Sequence, residues 1–130
     1  MAYNAAPPVF DPSGQPGVTA VYTHRGGERQ ITNTILVLSD AQAATAAVGG
    51  AAVGKVANGQ TQPAAVGSGG TIVSGMSPDG TKSVTVLTFT QGNAAATIEF
   101  NGPPRDPAPA DFVVELGQKQ DTAIKDWQAA

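Results

Sequence analysis

The chain has 130 residues, which suits a single domain with one hydrophobic core. Only 13% of the residues are charged and the net charge is −3, so the sequence offers neither the cationic surface that binds nucleic acid nor the high net charge of a disordered chain. Cysteine is absent, which excludes disulfides, thiolate catalysis and zinc–thiolate sites.

Proline dominates the start of the chain. Four of the first 16 residues are prolines, which predicts an extended arm over residues 1–16, followed by a single α+β domain over residues 17–130. Phe10 either pins this arm to the domain or belongs to a free tail. No apolar run approaches the ~20 residues of a membrane span, so we expect at most a peripheral association with membranes.

The first strand pair follows the arm. Two strand-like runs, residues 18–24 and 30–38, flank a Gly-Gly turn and predict an antiparallel hairpin. Symmetric pairing about that turn places Tyr22 opposite Ile31, so that apolar residues meet across the two strands.

A helix of small residues comes next. Ser39 fits the N-cap position of a capping box, and alanine and valine recur at helical spacing over residues 41–56. Asn58-Gly59 predicts its C-terminal end, and the glycine- and proline-containing segment 60–70 is predicted to be a loop.

The clearest strand pattern lies in residues 84–100, preceded by a strand over residues 71–76. Gly92-Asn93 suits a two-residue type II′ turn, and closing the hairpin there places Leu87 opposite Ile98. The large apolar side chains then share one face of the sheet, which we expect helices to cover. The other face is predicted to be in water and carries these side chains: Val86, Thr88, Thr90, Thr97 and Glu99.

The last element is an amphipathic helix that begins at Ala110 or Asp111. Its apolar stripe contains Val113, Leu116 and Ile124 and ends at Trp127. The order ββ-α-βββ-α therefore predicts a two-layer α+β fold, with a five-stranded, mainly antiparallel sheet and both helices on one face.

Few residues carry recognisable chemistry. His24, the single histidine, adjoins Arg25 near the first turn, where an exposed turn histidine is favoured over a metal ligand. Arg25 and Arg29 flank that turn and either bind an anion or remain solvated. Trp127 fits the core better than a ligand platform by its spacing. The candidate ligand-binding residues are Tyr22, His24, Arg25 and Trp127. No catalytic residue, metal or cofactor is expected.

Three segments carry a resemblance to a known family: ILVLSDAQAATAA, VSGMSPDGTKSVTVLTFTQGNAAATIEF and DFVVELGQKQDTAIKDW. Over about residues 31–127 the chain resembles small exported domains of cell-envelope lipoproteins from mycobacteria and related actinobacteria, including extracytoplasmic sensor domains of receptor kinases. Unlike those domains, this chain has no cysteine. The resemblance implies a location in the envelope or outside the cell and a role in binding a ligand or partner.

The leading hypothesis is a non-catalytic secreted or envelope domain, monomeric or homodimeric, that binds a small hydrophobic ligand or an envelope protein. It depends on the missing catalytic sets and on a small-residue helix able to leave a groove against the sheet. Two alternatives remain open. One is a small enzyme of the dimeric α+β barrel type that uses Tyr22, His24 or Trp127. The other is a structural or assembly module that pairs through a sheet face or edge.

Overall fold

The computed structural model describes residues 3–5, 9–10, 16–24, 28–49 and 55–129. Its elements follow one another in this order: β1 (Tyr3–Ala5), β2 (Val9–Phe10), β3 (Gly17–His24), β4 (Gln30–Val37), α1 (Ala41–Gly49), β5 (Ala57–Pro63), β6 (Ser68–Met76), β7 (Ser83–Gln91), β8 (Ala94–Gly102) and α2 (Ala110–Ala129). One sheet and two helices make up the described chain, which confirms the α+β class.

The sheet is antiparallel throughout and open. Its order is β1-β3-β4-β8-β7-β6-β5, and β2 pairs with β3 on the same side as β1. Six of the strands in the described residues are seven residues or longer, so the predicted number of five was wrong. The missed strand is β5, which lies within the segment predicted to form the helix end and a loop. It is the edge strand beyond β6, where Gly59 and a terminal Pro63 disrupt only one ladder of hydrogen bonds.

Both predicted hairpin registers are confirmed. Leu87 lies opposite Ile98 in the β7–β8 pair, and Tyr22 lies opposite Ile31 in the β3–β4 pair. Gly92 has a φ of 59°, the positive value that a tight hairpin turn of the predicted kind requires at its first loop position.

The two helices lie on opposite faces of the sheet, so the prediction of a single helical layer was wrong. Val86 and Leu87 point to opposite sides of β7, yet neither side chain has any exposed surface. Leu87 packs beneath Gly117 of α2, whereas α1 contacts β7 and β8 on the Val86 side. Thr88 and Thr90, which were expected to be in water, are consequently buried at 7% exposure each.

The position of α1 follows from the strand order. The chain leaves β4 in the middle of the sheet and resumes at β5 on its edge, with β8, β7 and β6 between them. Since every neighbouring pair is antiparallel, β4 and β5 run in the same direction, and the segment containing α1 is a crossover over one face. Such crossovers have a strongly preferred hand, which restricts α1 to one face of the sheet.

The described part of α1 is shorter than the predicted helix. Asp40 is its N-cap: its Oδ1 accepts a hydrogen bond from the Ala43 N–H at 2.8 Å, so Ser39 lies one position too early for that role. The helix is described as far as Gly49. Residues 50–54 lie outside the described residues, and by Ala57 the chain is already in β5.

Candidate functional site

One helix cannot cover a face of this sheet. Six strands spaced about 4.8 Å apart are about 24 Å wide, whereas a helix with its side chains is about 10 Å across. On its face α2 lies over β7, so the surface of β3 and β4 beside it is left open. The result is an apolar groove, which is the candidate site.

The C-terminal half of α2 is anchored on the side away from β3. Gln128 Nε2 donates a hydrogen bond to the Gln91 carbonyl at 2.9 Å. The Gln91 side chain in turn donates to Asp121 Oδ1 at 2.7 Å, and the Asp121 side chain is only 10% exposed. These contacts hold the helix over the β7–β8 turn, which keeps the other flank of α2 free to form a wall of the groove.

The apolar groove has a volume of about 480 Å³, which is within the range for small-molecule sites. Its walls are formed by α2, by the adjoining ends of β3 and β4, and by the arm. The lining residues are Phe10, Pro16, Gly17, Val18, Ile35, Val37, Gln120, Ala123, Ile124 and Trp127. No lining residue is ionisable, so within the described part of the chain the site offers burial of apolar surface and very little charge.

Two aromatic side chains stand at this groove with most of their surface in solvent. Phe10 is 71% exposed and Trp127 is 59% exposed. Exposed large apolar groups clustered beside a groove are characteristic of binding surfaces, because an occupant removes their surface from water.

One polar pair adjoins the apolar groove: Gln120 lines it, and Asn33, which bonds to Gln120, lies just outside the lining. Asn33 Nδ2 on β4 donates a hydrogen bond of 3.0 Å to Oε1 of Gln120. Among the lining residues, only Gln120 and Trp127, through its indole N–H, have polar side-chain atoms. Asn33 Oδ1 is buried and has no hydrogen-bond partner in the described structure. A buried acceptor without a partner is uncommon in folded proteins and calls for an explanation.

The structure separates the four candidate residues predicted from sequence. Trp127 lines the apolar groove, and its exposure shows that the expected place in the core was wrong. Tyr22, 36% exposed, and the half-buried His24 lie towards the other end of β3, and His24 is six residues or about 20 Å along the strand from Val18 in the groove. Arg25 lies outside the described residues.

Sequence reasoning missed most of the groove. The sequence predicted only that Phe10 could pin the arm, and it assigned neither Phe10 nor Gln120 to a site. Their convergence depends on the arm pairing with β3, where Phe10 lies opposite Val18, and on the position of α2 over the sheet. Phe10 and Trp127 are far apart in the sequence, and no pattern in the sequence indicates that they lie at the same groove.

Two other cavities differ in character. A cavity of about 250 Å³ near the N-terminus of α2 is bordered by Phe112 and by an ion pair between Arg29 and Asp106. An open cavity of about 570 Å³ lies between α1 and the sheet, where the sequence had suggested a groove, and its walls carry hydroxyls such as Thr45, Thr71 and Thr88. Neither is as apolar as the groove beside α2.

Comparison with known proteins identifies no relative: no family model, no curated protein and no solved structure matches the chain. Neither helix in the described ranges is both long and apolar enough to cross a bilayer. Within those same ranges, no three histidine or carboxylate side chains form a group able to hold a metal ion.

Proposed function

We propose that this protein is a binding domain for a small hydrophobic ligand, which it holds in the apolar groove between α2 and the β3–β4 strands. The observation that carries the proposal is a groove of about 480 Å³ whose rim displays two exposed aromatic side chains, Phe10 and Trp127. Closing an apolar occupant against these rings stabilises the complex by about 25 cal/mol for each Å² of apolar surface removed from water.

The lining favours binding over catalysis. Its polar side-chain atoms are the Gln120 amide and the Trp127 indole N–H, and the described lining includes no histidine, carboxylate, serine or lysine. Nucleophilic or acid–base chemistry needs such groups within hydrogen-bond reach of the substrate. His24, the single histidine, is not among the lining residues.

The test uses the intrinsic tryptophan fluorescence of the protein. Trp127 is the single tryptophan and lines the apolar groove, so its emission responds to an occupant there. The probe is N-phenyl-1-naphthylamine, a neutral apolar fluorophore that accepts energy from excited tryptophan. We expect saturable quenching of Trp127 together with enhanced probe emission, at one probe per chain.

A matched pair of variants locates the binding site. Ala123→Phe fills the groove from the wall of α2 and should weaken probe binding by at least about tenfold, because the added ring occupies the volume that the probe needs. Thr122→Phe places the same ring on an exposed position of the same helix outside the lining and should leave binding unchanged. Absence of saturable binding to the unmodified protein, or equal effects of the two variants, would contradict the proposal.

The location, the partner and the oligomeric state of the protein are also proposals. The composition and the resemblance described above support a secreted or envelope location, with peripheral contact to a membrane at most. An envelope protein as the partner, and a monomer or homodimer as the working form, remain predictions.

A further inference from the structure

Asn33 Oδ1, a buried acceptor without a hydrogen-bond donor, lies beside the apolar groove and indicates which hydrophobic ligands fit the groove. Asn33 lies on β4 two residues before Ile35 and on the same face, and it bonds to the lining residue Gln120. The bond engages Asn33 Nδ2 and leaves Asn33 Oδ1 buried without a donor. An acceptor in that position costs free energy until a donor reaches it.

The neighbouring groups do not supply the missing donor in the described structure. Asn33 is flanked across the strands by Ala20 on β3 and Ile98 on β8, neither of which has a polar side chain. Along its own face of β4 the neighbours are Ile31 and Ile35, which are also apolar. Gln120 accepts from the Asn33 amide through Oε1, and its Nε2 donates no hydrogen bond to Asn33 Oδ1 in the described structure.

The charge of the ligand follows from the same lining. None of the lining residues is ionisable, so a carboxylate or ammonium group would lose its hydration without gaining an opposite charge. A neutral group that donates a hydrogen bond to Asn33 Oδ1 does not lose the hydration of a charge.

We infer that the natural ligand is a neutral amphiphile: an apolar body that lies against Phe10 and Trp127, and a single hydroxyl or amide N–H that donates to the Asn33–Gln120 pair. The inference rests on the proposed function and adds the chemical class of the ligand. A long-chain alcohol is the simplest member of this class, whereas a fatty acid in its ionised form is excluded.

The experiment compares three probes with similar alkyl chains in competition with N-phenyl-1-naphthylamine: decan-1-ol, its methyl ether and decanoate. The ether retains an acceptor but has no donor, and decanoate is charged at neutral pH. After correction for the partition of each probe between water and hydrocarbon, we expect decan-1-ol to bind about tenfold more tightly than the ether, the gain of about one hydrogen bond. Decanoate should bind more weakly than either.

The variant Asn33→Leu removes the orphaned acceptor and should bring the alcohol-to-ether ratio to about one. Asn101→Leu is the matched control, because Asn101 is also a half-buried asparagine in a strand, but its side chain bonds to Glu99 and not to a lining residue of the apolar groove. This control should keep the ratio of the unmodified protein. In the unmodified protein, the side-chain amide NMR signals of Asn33 and Gln120 should shift with decan-1-ol and not with the ether, which tests the inference even if a variant does not fold.

The outcomes separate the two proposals. Equal binding of all three probes, or tightest binding of decanoate, would overturn the neutral-donor inference and leave the groove as a general apolar site. Failure of every probe, N-phenyl-1-naphthylamine included, would overturn the binding function and with it this inference.

Discussion

Gly117 in the middle of α2 sets how closely the helix approaches the sheet. A Cβ at this position would overlap Leu87 Cδ2 and lie 3.2 Å from both methyl groups of Val66. Leu87 is fully buried and Val66 is 2% exposed, so neither side chain can move away into solvent. The absence of a side chain at Gly117 is therefore a packing requirement of the interface between α2 and β7.

Gly117→Ala is expected to destabilise the protein although alanine is the better helix former. The substitution gains about 1 kcal/mol of helix propensity, whereas overpacking a filled core costs about 1–3 kcal/mol. Urea denaturation followed by circular dichroism measures the net change. Gly49→Ala in α1 is the control, because a Cβ there meets nothing within 4 Å, and it should be neutral or stabilising. A stabilising Gly117→Ala would contradict the close helix–sheet contact.

The hydrogen bonds of a tight turn lower the pKa of Asp79. Its Oδ1 accepts hydrogen bonds from the Ser77 hydroxyl at 2.6 Å and from the Thr81 hydroxyl and N–H at 2.7 and 3.1 Å. Since these donors favour the charged form, they lower the pKa of Asp79 from 3.8 to about 2. The stabilisation that the carboxylate gives the folded state is present above pH 3.8 and is lost as the pH falls from there through about 2.

We expect Ser77→Ala to raise the pKa of Asp79 towards 3.8, because the donor with the largest effect on it is removed. The titration of the Asp79 side-chain carbon in NMR spectra measures this directly. Thr45→Val removes a hydroxyl on α1 that donates to a backbone carbonyl instead, and the pKa of Asp79 should stay near 2 in that variant. An unchanged titration in Ser77→Ala would refute the hydrogen-bonded turn.

At the level of whole elements, α2 carries two i,i+4 ion pairs that differ in their burial. Lys119 and Glu115 are joined at 3.5 Å, and both side chains are largely exposed. Lys125 and Asp121 are joined at 3.4 Å, but the Asp121 side chain is nearly buried and also accepts from Gln91 on β7. The second pair therefore fastens the helix to the sheet, which the helical spacing alone could not indicate.

Asp121→Ala should lower the free energy of unfolding by about 1–3 kcal/mol, because the half-buried Gln91 amide loses its acceptor. Lys119→Ala breaks the exposed pair on the same helix and should cost less than about 0.5 kcal/mol. Urea denaturation compares the two variants. Equal costs would show that Asp121 behaves as a surface charge and does not anchor α2.

At the scale of the whole molecule, the described parts of the arm cover an edge of the sheet. β1 pairs with β3 from Tyr22 to His24, and β2 pairs with Val18 and Thr19. Edge strands with unpaired backbone groups promote pairing between molecules. The arm therefore has two roles in this structure: it occupies the edge of β3, and it supplies Phe10 to the apolar groove.

Deletion of residues 1–10 should consequently have two effects. The exposed edge of β3 should cause self-association that increases with concentration, measured by light scattering after size exclusion, and loss of Phe10 should weaken binding of N-phenyl-1-naphthylamine. Phe10→Ala in the full chain should weaken binding without added association, which separates the two roles. A truncated chain with the association state and affinity of the full chain would contradict both.

The local features of the fold could be predicted from the sequence alone. Strand alternation combined with turn geometry set the registers of both hairpins, and helical spacing located α2 from its first residue at Ala110 to Trp127. These features depend on residues close together in the chain, so their pattern is visible without any knowledge of tertiary contacts. The candidate Trp127 was found for the same reason, as an aromatic at the end of an apolar stripe.

Which face each helix covers, and where the groove lies, depends on contacts between distant parts of the chain. The crossover from β4 to β5 carries α1 over the threonine-bearing face, and threonine tolerates burial there because its methyl group packs while its hydroxyl finds a local acceptor, as the Thr90 hydroxyl does at the Ser68 carbonyl. The groove exists because one helix is narrower than the sheet beneath it and because Phe10 and Trp127 meet across more than a hundred residues of chain. Such non-local geometry leaves no periodic trace in the sequence.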